Sequence, residues 1–251
     1  MNILLIAGHG NGDPGACGCG YQEANETRRM ANVLKPKLER RSINVIMYDQ
    51  NKNAFDTVRY GGALPLQGID YVIELHLNAG VGDTSGNGYT TGTEVLIHAS
   101  EPGSTVEECI LSKICALGFM NRGVKRRGDL AVMGYVVSNG ISHALIETCF
   151  IDDADDMMLY ENNFDAIAGA IAAGVAEGFD LETEEEEMQF TEEEAAWLKQ
   201  LYAKSKEAVA SDWAADMIAQ AKKDGVTDGS RPRDICTREE AVAMIMRVTK
   251  E

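Results

Sequence analysis

Histidine is scarce in this chain, four residues of 251, and two of the four stand where a sheet would expose chemistry. His9 follows the apolar run Asn2-Ile-Leu-Leu-Ile-Ala7 inside the string GHGNGDPGA, and His76 closes the run YVIEL inside ELHLNAG. Both strings are Gly- and Asn-rich turns, not packed core, and turns of that kind bring backbone close to a bound group. Glu147 follows HALI in the same way, and Glu23 enters the first helix behind the Gly-rich loop. Taken singly, a histidine after an apolar strand is more often a hydrogen-bonded structural residue. Taken together, two imidazoles and a carboxylate at one sheet edge have the donor types to share a metal.

The elements that must position these residues read as an alternation. Asn2 to Ala7 is a short continuous apolar run, expected as a buried strand. Glu23 to Arg41 carries Met30, Val33, Leu34 and Leu38 at helical spacing, with Pro36 expected to kink or break the helix. Strands are expected over 44–48 (NVIMY), 71–77 (YVIELHL), 93–98 (TEVLIH), 130–137 and 143–150, with a helix-like connection through Phe55, Val58 and Arg59. Ser104-x-x-Glu107 reads as a capping box opening a helix that ends before Gly118. Further helices are expected after Asp152–Asp156 and over 164–179. The sum is an α/β fold: a mostly parallel sheet flanked by helices on both faces, plus a small C-terminal all-helical domain.

Composition narrows the partners. Lys plus Arg number 23 against 40 Asp plus Glu, a formal net charge of −17. That leaves no broad basic surface for the phosphate contacts of nucleic-acid binding, so no nucleic-acid partner is expected. No apolar run approaches the roughly 20 residues that cross a bilayer, so no membrane partner is expected. Met1 to Ala7 has neither a basic n-region nor a small-residue cleavage site, which makes cytoplasmic synthesis the expectation. Six cysteines, Cys17, Cys19, Cys109, Cys115, Cys149 and Cys236, are too sparse for a disulfide framework and read as reduced thiols.

At this point the chain resembles a known family, the zinc-dependent N-acetylmuramoyl-L-alanine amidases of the amidase 3 type, found among autolysins and phage endolysins. The motifs that carry the resemblance are GHGNGDPGA at 8–16 with Glu23 fourteen residues after His9, HLNAG at 76–80, GTEVLIH at 92–98, RGVK at 122–125 and ALIETCFIDD at 144–153. The resemblance implies that His9, Glu23 and His76 bind zinc, that Glu147 is the catalytic glutamate, and that zinc-activated water cleaves the bond between N-acetylmuramic acid and L-alanine in bacterial peptidoglycan. Glu26 competes with Glu23 because both fall on the first helical turn; the fourteen-residue spacing decides for Glu23. Asn78 and Lys125 are candidate contacts to the peptide stem. Glu74 replaces the Ser often found two positions before the second histidine, and reads equally as an outer partner of a ligating imidazole or as a polar residue of the strand. Asp13 is expected to shape its turn through local hydrogen bonds, and His98 and His143 to be structural.

From Leu181 the composition changes. The domains are read as 1–180 (catalytic), 181–190 (an acidic linker containing ETEEEE) and 191–251 (short amphipathic helices, two opened by the capping boxes Thr191-x-x-Glu194 and Thr237-x-x-Glu240). The string from Trp213 to Val248 resembles a single surface-layer-homology repeat, which implies contact with a cell-wall polymer or a homo-oligomeric contact. An acidic chain gains no electrostatic steering toward an anionic wall, so such targeting would rest on specific contacts. The expected role is a bacteriolytic phage endolysin, acting at the wall after release. The rivals are a bacterial autolysin or sporulation amidase, a non-catalytic wall-binding protein with a structural zinc, and a zinc peptidase on a related scaffold.

Overall fold

Residues Ile3 to Ala7 of the first strand are buried on both faces, which is why the segment is a continuous apolar run instead of an alternation. In the computed structural model, which describes residues 1–181 together with 219, 220 and 223, the elements run β1 (Asn2–Ala7), β2 (Cys17–Gly18), β3 (Tyr21–Gln22), α1 (Glu23–Glu39), β4 (Asn44–Met47), α2 (Ala54–Arg59), β5 (Tyr71–Asn78), β6 (Thr93–His98), α3 (Thr105–Cys115), β7 (Asn121–Arg127), α4 (Ala131–Ser138), β8 (Ser142–Phe150), α5 (Ala154–Asn162) and α6 (Phe164–Gly178). The chain divides into two units, Met1–Glu184 and Glu185–Glu251. The acidic linker, the C-terminal helices with their capping boxes and the surface-layer-homology-like string fall outside the described residues, apart from three isolated positions. Among the described residues no helix is long and apolar enough to cross a membrane.

Six strands form one sheet in the order β4-β1-β5-β8-β6-β7. Every neighbouring pair is parallel except β6 with β8. Alternation sends Ile3, Leu5 and Ile73 to one face, where Met30, Leu34 and Leu38 of α1, Ile110 and Ile114 of α3 and Ile167, Ile171 and Val175 of α6 close over them. Leu4, Ile6 and Val72 point the other way, under Val132 and Val136 of α4 and Ala54. Each wholly buried Leu, Ile or Val contributes about 1.5–3 kcal/mol of transfer free energy, so both faces help to fix the strand register that carries the site.

Three expectations are corrected. The run 130–137 is not a strand. Its buried residues Val132, Met133 and Val136 fall at one- and four-residue steps and form one face of α4; a short apolar run without alternation suits either structure, and here one-sided burial decides. Pro36 does not break α1, which continues to Glu39. The carbonyl that loses its donor belongs to the exposed Asn32, where water can replace the missing N–H. The capping box at Ser104 does not form. Ser104 is the N-cap without a side-chain cap bond; its hydroxyl donates to Glu108 instead, while Glu107 turns inward to accept from the Tyr71 hydroxyl. Strand β7, sequence NRGVKRR, was not anticipated, because a polar edge strand lacks the apolar signal.

Candidate metal centre and active site

Strands β1, β5 and β8 are neighbours and parallel, so their C-terminal portions open on one edge. Strand β1 delivers His9 two residues beyond its end, its pairing prolonged by the Gly8 N–H to the Leu75 carbonyl at 3.0 Å. His76 and Glu147 lie within longer strands than expected and are register partners across β5 and β8, just before the register slips between His76 and Asn78. Glu23 starts α1, where the helix dipole favours a carboxylate.

The loop holding His9 is tightly built. His9 has φ +61, a left-handed conformation that costs a non-glycine residue about 1–3 kcal/mol and persists only where its surroundings impose it. Arg28 imposes it: Nη2 donates to the His9 carbonyl at 2.8 Å and Nη1 to the Gly8 carbonyl at 3.0 Å. Thr27 Oγ1 donates to the same Gly8 carbonyl at 3.0 Å. A Cβ on Gly8 would sit 2.4 Å from the His76 ring, and one on Gly15 would sit 2.7 Å from both Glu23 Oε2 and His9 Cδ2, so only backbone fits around this cradle.

Within it, Glu23 is 3% exposed and bridges the two imidazoles. Its Oε1 lies 2.8 Å from His76 Nδ1 and its Oε2 lies 3.1 Å from His9 Nε2. Backbone N–H groups of Leu77 and Ala16 donate to the same two oxygens. The imidazole rings stand edge to face with centroids 4.9 Å apart. The other nitrogen of each ring also meets a carboxylate: His9 Nδ1 is 2.8 Å from Asp13 Oδ2, and His76 Nε2 is 3.3 Å from Glu74 Oε1. Asp13 therefore does more than shape its turn, although it does that too by accepting from Gly15 N–H. Glu74, only 5% exposed, reaches with Oε2 to His143 Nε2 at 3.0 Å, so His143 is joined to the site through Glu74. Glu26 is turned away to Arg29. His98 stands on β6, which runs against β8 and so ends at the opposite edge; it bonds to Ser100.

One nitrogen from each imidazole and one Glu23 oxygen lie within 4.8 Å of one another, the donor set of a three-ligand zinc site with an open position. A second cluster, Asp83, Asp153 and Asp155, has its oxygens engaged by backbone N–H groups of the 83–88 loop and the α5 cap; it is loop architecture.

Electrostatics mark the same place. Burial alone would raise the Glu23 carboxyl and lower both imidazoles. The mutual hydrogen bonds and charges outweigh it, holding Glu23 well below the carboxylate range, raising His9, and raising His76 well above its ordinary value. Glu74 is held down to about 2 by His143 and His76 against its own burial. Glu147 is the exception. Burial, reinforced by the charges of Glu23, Glu94 and Glu74 and opposed by His76, pushes it up to about 7, and its Oε2 is buried with no hydrogen-bond partner among the described residues. A carboxyl near neutrality with a free oxygen, beside a donor set for a cation, is suited to carrying a proton.

Asn78 and Lys125 are brought together on Glu94, at 3.1 and 2.5 Å, a residue the sequence reading passed over; a glutamate interrupting the buried strand TEVLIH was the available signal. Of the two readings of Glu74, its contact with His76 Nε2 favours the partner of an imidazole; Arg28 and the bond from Glu74 to His143 were missed, since they rest on contacts distant in sequence. For a divalent ion held by this donor set, Glu74→Gln is expected to weaken binding about 10–100-fold, the usual cost of losing an outer partner of a ligating histidine, as measured by chelator competition; an unchanged constant would make Glu74 a partner of His143 alone.

A model of the N-acetylmuramoyl-L-alanine amidase family matches residues 3–177. Over 189 residues the chain is 28% identical to the probable autolysin PH of Staphylococcus aureus, covering 69% of this chain and 38% of that protein. It is 27% identical to the sporulation-specific N-acetylmuramoyl-L-alanine amidase of Bacillus subtilis, covering 72% and 69%. Among solved structures, the catalytic domain of the CD27L endolysin targeting Clostridia Difficile aligns with a TM-score of 0.57 at 26% identity, covering 70% of this chain and 97% of that one. With seven tenths of its length in that match, and with the fold of those relatives, the chain belongs to the N-acetylmuramoyl-L-alanine amidase family.

Proposed function

We propose that this chain is a zinc-dependent hydrolase of bacterial peptidoglycan, cleaving the amide between N-acetylmuramic acid and L-alanine, with His9, Glu23 and His76 holding the metal and Glu147 carrying the proton. The observation that supports this most directly is the Glu147 carboxyl, shifted to about 7 with an unpartnered buried oxygen, beside three convergent donors. Zinc in such a site acidifies water and polarises a carbonyl as a Lewis acid. Glu147 accepts the proton of the attacking water and returns it to the departing L-alanine nitrogen. Asp13 and Glu74 hold the ring orientations of His9 and His76 through the nitrogens that face away from Glu23. Digestion of purified walls, with released fragments identified by mass, tests the reading: stem peptides beginning at L-alanine are expected. Amino-acid fragments with the sugar amide intact would indicate a peptidase, and zinc binding without release from several walls a binding protein.

The endolysin role belongs to the same proposal, supported by the likeness to an endolysin catalytic domain. The autolysin and sporulation relatives support turnover of the bacterium's own wall as the second reading, and gene neighbourhood separates the two. For residues 191–251 the proposal is contact with wall polymer or with a second copy. Deleting everything after Asp180 is expected to reduce retention on walls at several salt concentrations while leaving zinc binding intact; equal retention and lysis would remove the targeting role.

A further inference from the structure

The edge strand β7 carries four cations in seven residues, Arg122, Lys125, Arg126 and Arg127, in a chain of net charge −17. Charge on an edge strand ordinarily prevents pairing with another sheet, and Arg126 and Arg127 fit that purpose, bonding outward to the Glu101 carbonyl and to Asp129. Arg122 and Lys125 behave differently. Three positions apart on a regular strand they would point to opposite faces. The register of β7 against β6 slips, however, with Asn121 opposite Thr93 and Val124 opposite Val95. Gly123 sits inside the slip at φ +86, a conformation glycine adopts without strain. The extra residue resets the alternation, and both cationic heads meet Glu94 Oε2, at 2.8 and 2.5 Å.

Two cations on one carboxylate leave a net positive charge. Glu94 is 6% exposed, and its other oxygen accepts from Asn78 Nδ2, so one cation already neutralises it. Arg122 is fixed further, its guanidinium 4.7 Å over the buried Phe150 ring and its Nη1 3.4 Å from the Thr91 carbonyl. Its Nη2 has no partner among the described residues, and Lys125 has three N–H donors with one acceptor, Glu94. The two side chains remain 31% and 42% exposed. Glu94 is also the register partner of Glu147, which places this cluster next to the proton-carrying carboxyl.

We propose that Arg122 and Lys125, held on Glu94 beside Asn78, form a subsite for a carboxylate in the peptide part of the substrate; this rests on the amidase reading above. The cluster lies one to two strand spacings from Glu147, roughly 5–10 Å, and extended peptide covers about 3.4 Å per residue, so the carboxylate belongs within about three residues of the scissile amide. Glu23 and Glu74 already occupy the imidazoles of His9, His76 and His143, so Arg122 and Lys125 are the cations left to meet a substrate carboxylate, and paired N–H donors of like positive charge bind a carboxylate more strongly than a carboxamide.

The test is a pair of soluble muramoyl peptides that differ only in whether the second stem residue bears a free carboxylate or its carboxamide. The parent, zinc-loaded, is expected to favour the free acid about tenfold or more in kcat/KM, chiefly through KM. Arg122→Gln and Lys125→Gln each leave Glu94 one cation, which protects the fold, and each is expected to cut that preference severalfold. Gly123→Val, which cannot hold φ +86, is expected to lose it with both cations present. Calorimetry of the acid and amide peptide products on the parent reads the same preference without turnover. Equal kcat/KM for the two peptides in the parent, or full preference retained in both Gln variants, overturns the subsite. A parent that cleaves neither peptide but binds the acid more tightly overturns the amidase reading and leaves the subsite standing.

Discussion

Glu147→Gln is expected to lower wall hydrolysis by about 10²–10⁴-fold, the range supplied by a positioned acid–base group, with bound zinc within about twofold of the parent. The argument is geometric. His9, Glu23 and His76 converge without any hydrogen bond to Glu147, so an isosteric amide leaves the donors in place while removing the group that moves the proton. The pH profile makes the prediction sharper. Burial raises the Glu147 carboxyl to about 7 without a metal; a nearby divalent cation favours the carboxylate, so the acid limb of kcat/KM for the zinc-loaded parent belongs below about 7. In Glu147→Gln that limb is expected to disappear along with most of the rate. Retention of more than a tenth of the parent's activity, at full zinc occupancy, would show that another group carries the proton.

How much of this was legible in the sequence depends on which contacts are local. His9 and His76 were visible because strand ends followed by Gly- and Asn-rich turns have a sequence signature, and a largely parallel sheet sends such ends to one edge. The alternation of strands and helices was visible for the same reason, except where the signal is physically ambiguous. An apolar run such as 130–137 suits a buried strand or one face of a short helix, and only the packing of Val132 and Val136 against the sheet chooses. Strand β7 was invisible because its exposed edge tolerates NRGVKRR. The bonds of Arg28 to Gly8 and His9, of Glu74 to His143, and of Arg122 to Glu94 join residues 19 to 69 positions apart. No periodicity reports such pairs, so the residues that converge on Glu23 were readable while most of the contacts that hold them in place were not.

The carboxylates around the two imidazoles imply that metal and protons compete for the same place, and Glu23→Gln is expected to expose this most clearly. Loss of a direct donor should weaken zinc by more than the roughly 10–100-fold that an outer partner costs. It should also change the number of protons exchanged. In the metal-free protein Glu23 helps to hold His9 and His76 protonated above their ordinary value of 6.5, and both imidazoles must be neutral to bind zinc. Parent affinity should therefore rise with pH through neutrality, by up to about tenfold per unit for each proton displaced, and the slope should be shallower in Glu23→Gln. Stability follows with a definite sign. The raised imidazoles stabilise the metal-free fold fully below 6.5, and that contribution is lost as pH climbs through their raised values. The lowered carboxyls of Glu23 and Glu74 stabilise it above 4.5, and theirs is lost as pH falls through their lowered values. Glu147, raised to about 7, adds stability below 4.5 that is gone once pH passes that value. Metal-free protein should thus be firmest in mild acid and soften past neutrality, while zinc-loaded protein gains from tighter binding as pH rises. Thermal midpoints of the two forms from pH 5 to 8.5 should diverge steadily in the parent and less in Glu23→Gln; parallel curves would mean that the imidazoles are not the metal's proton competitors.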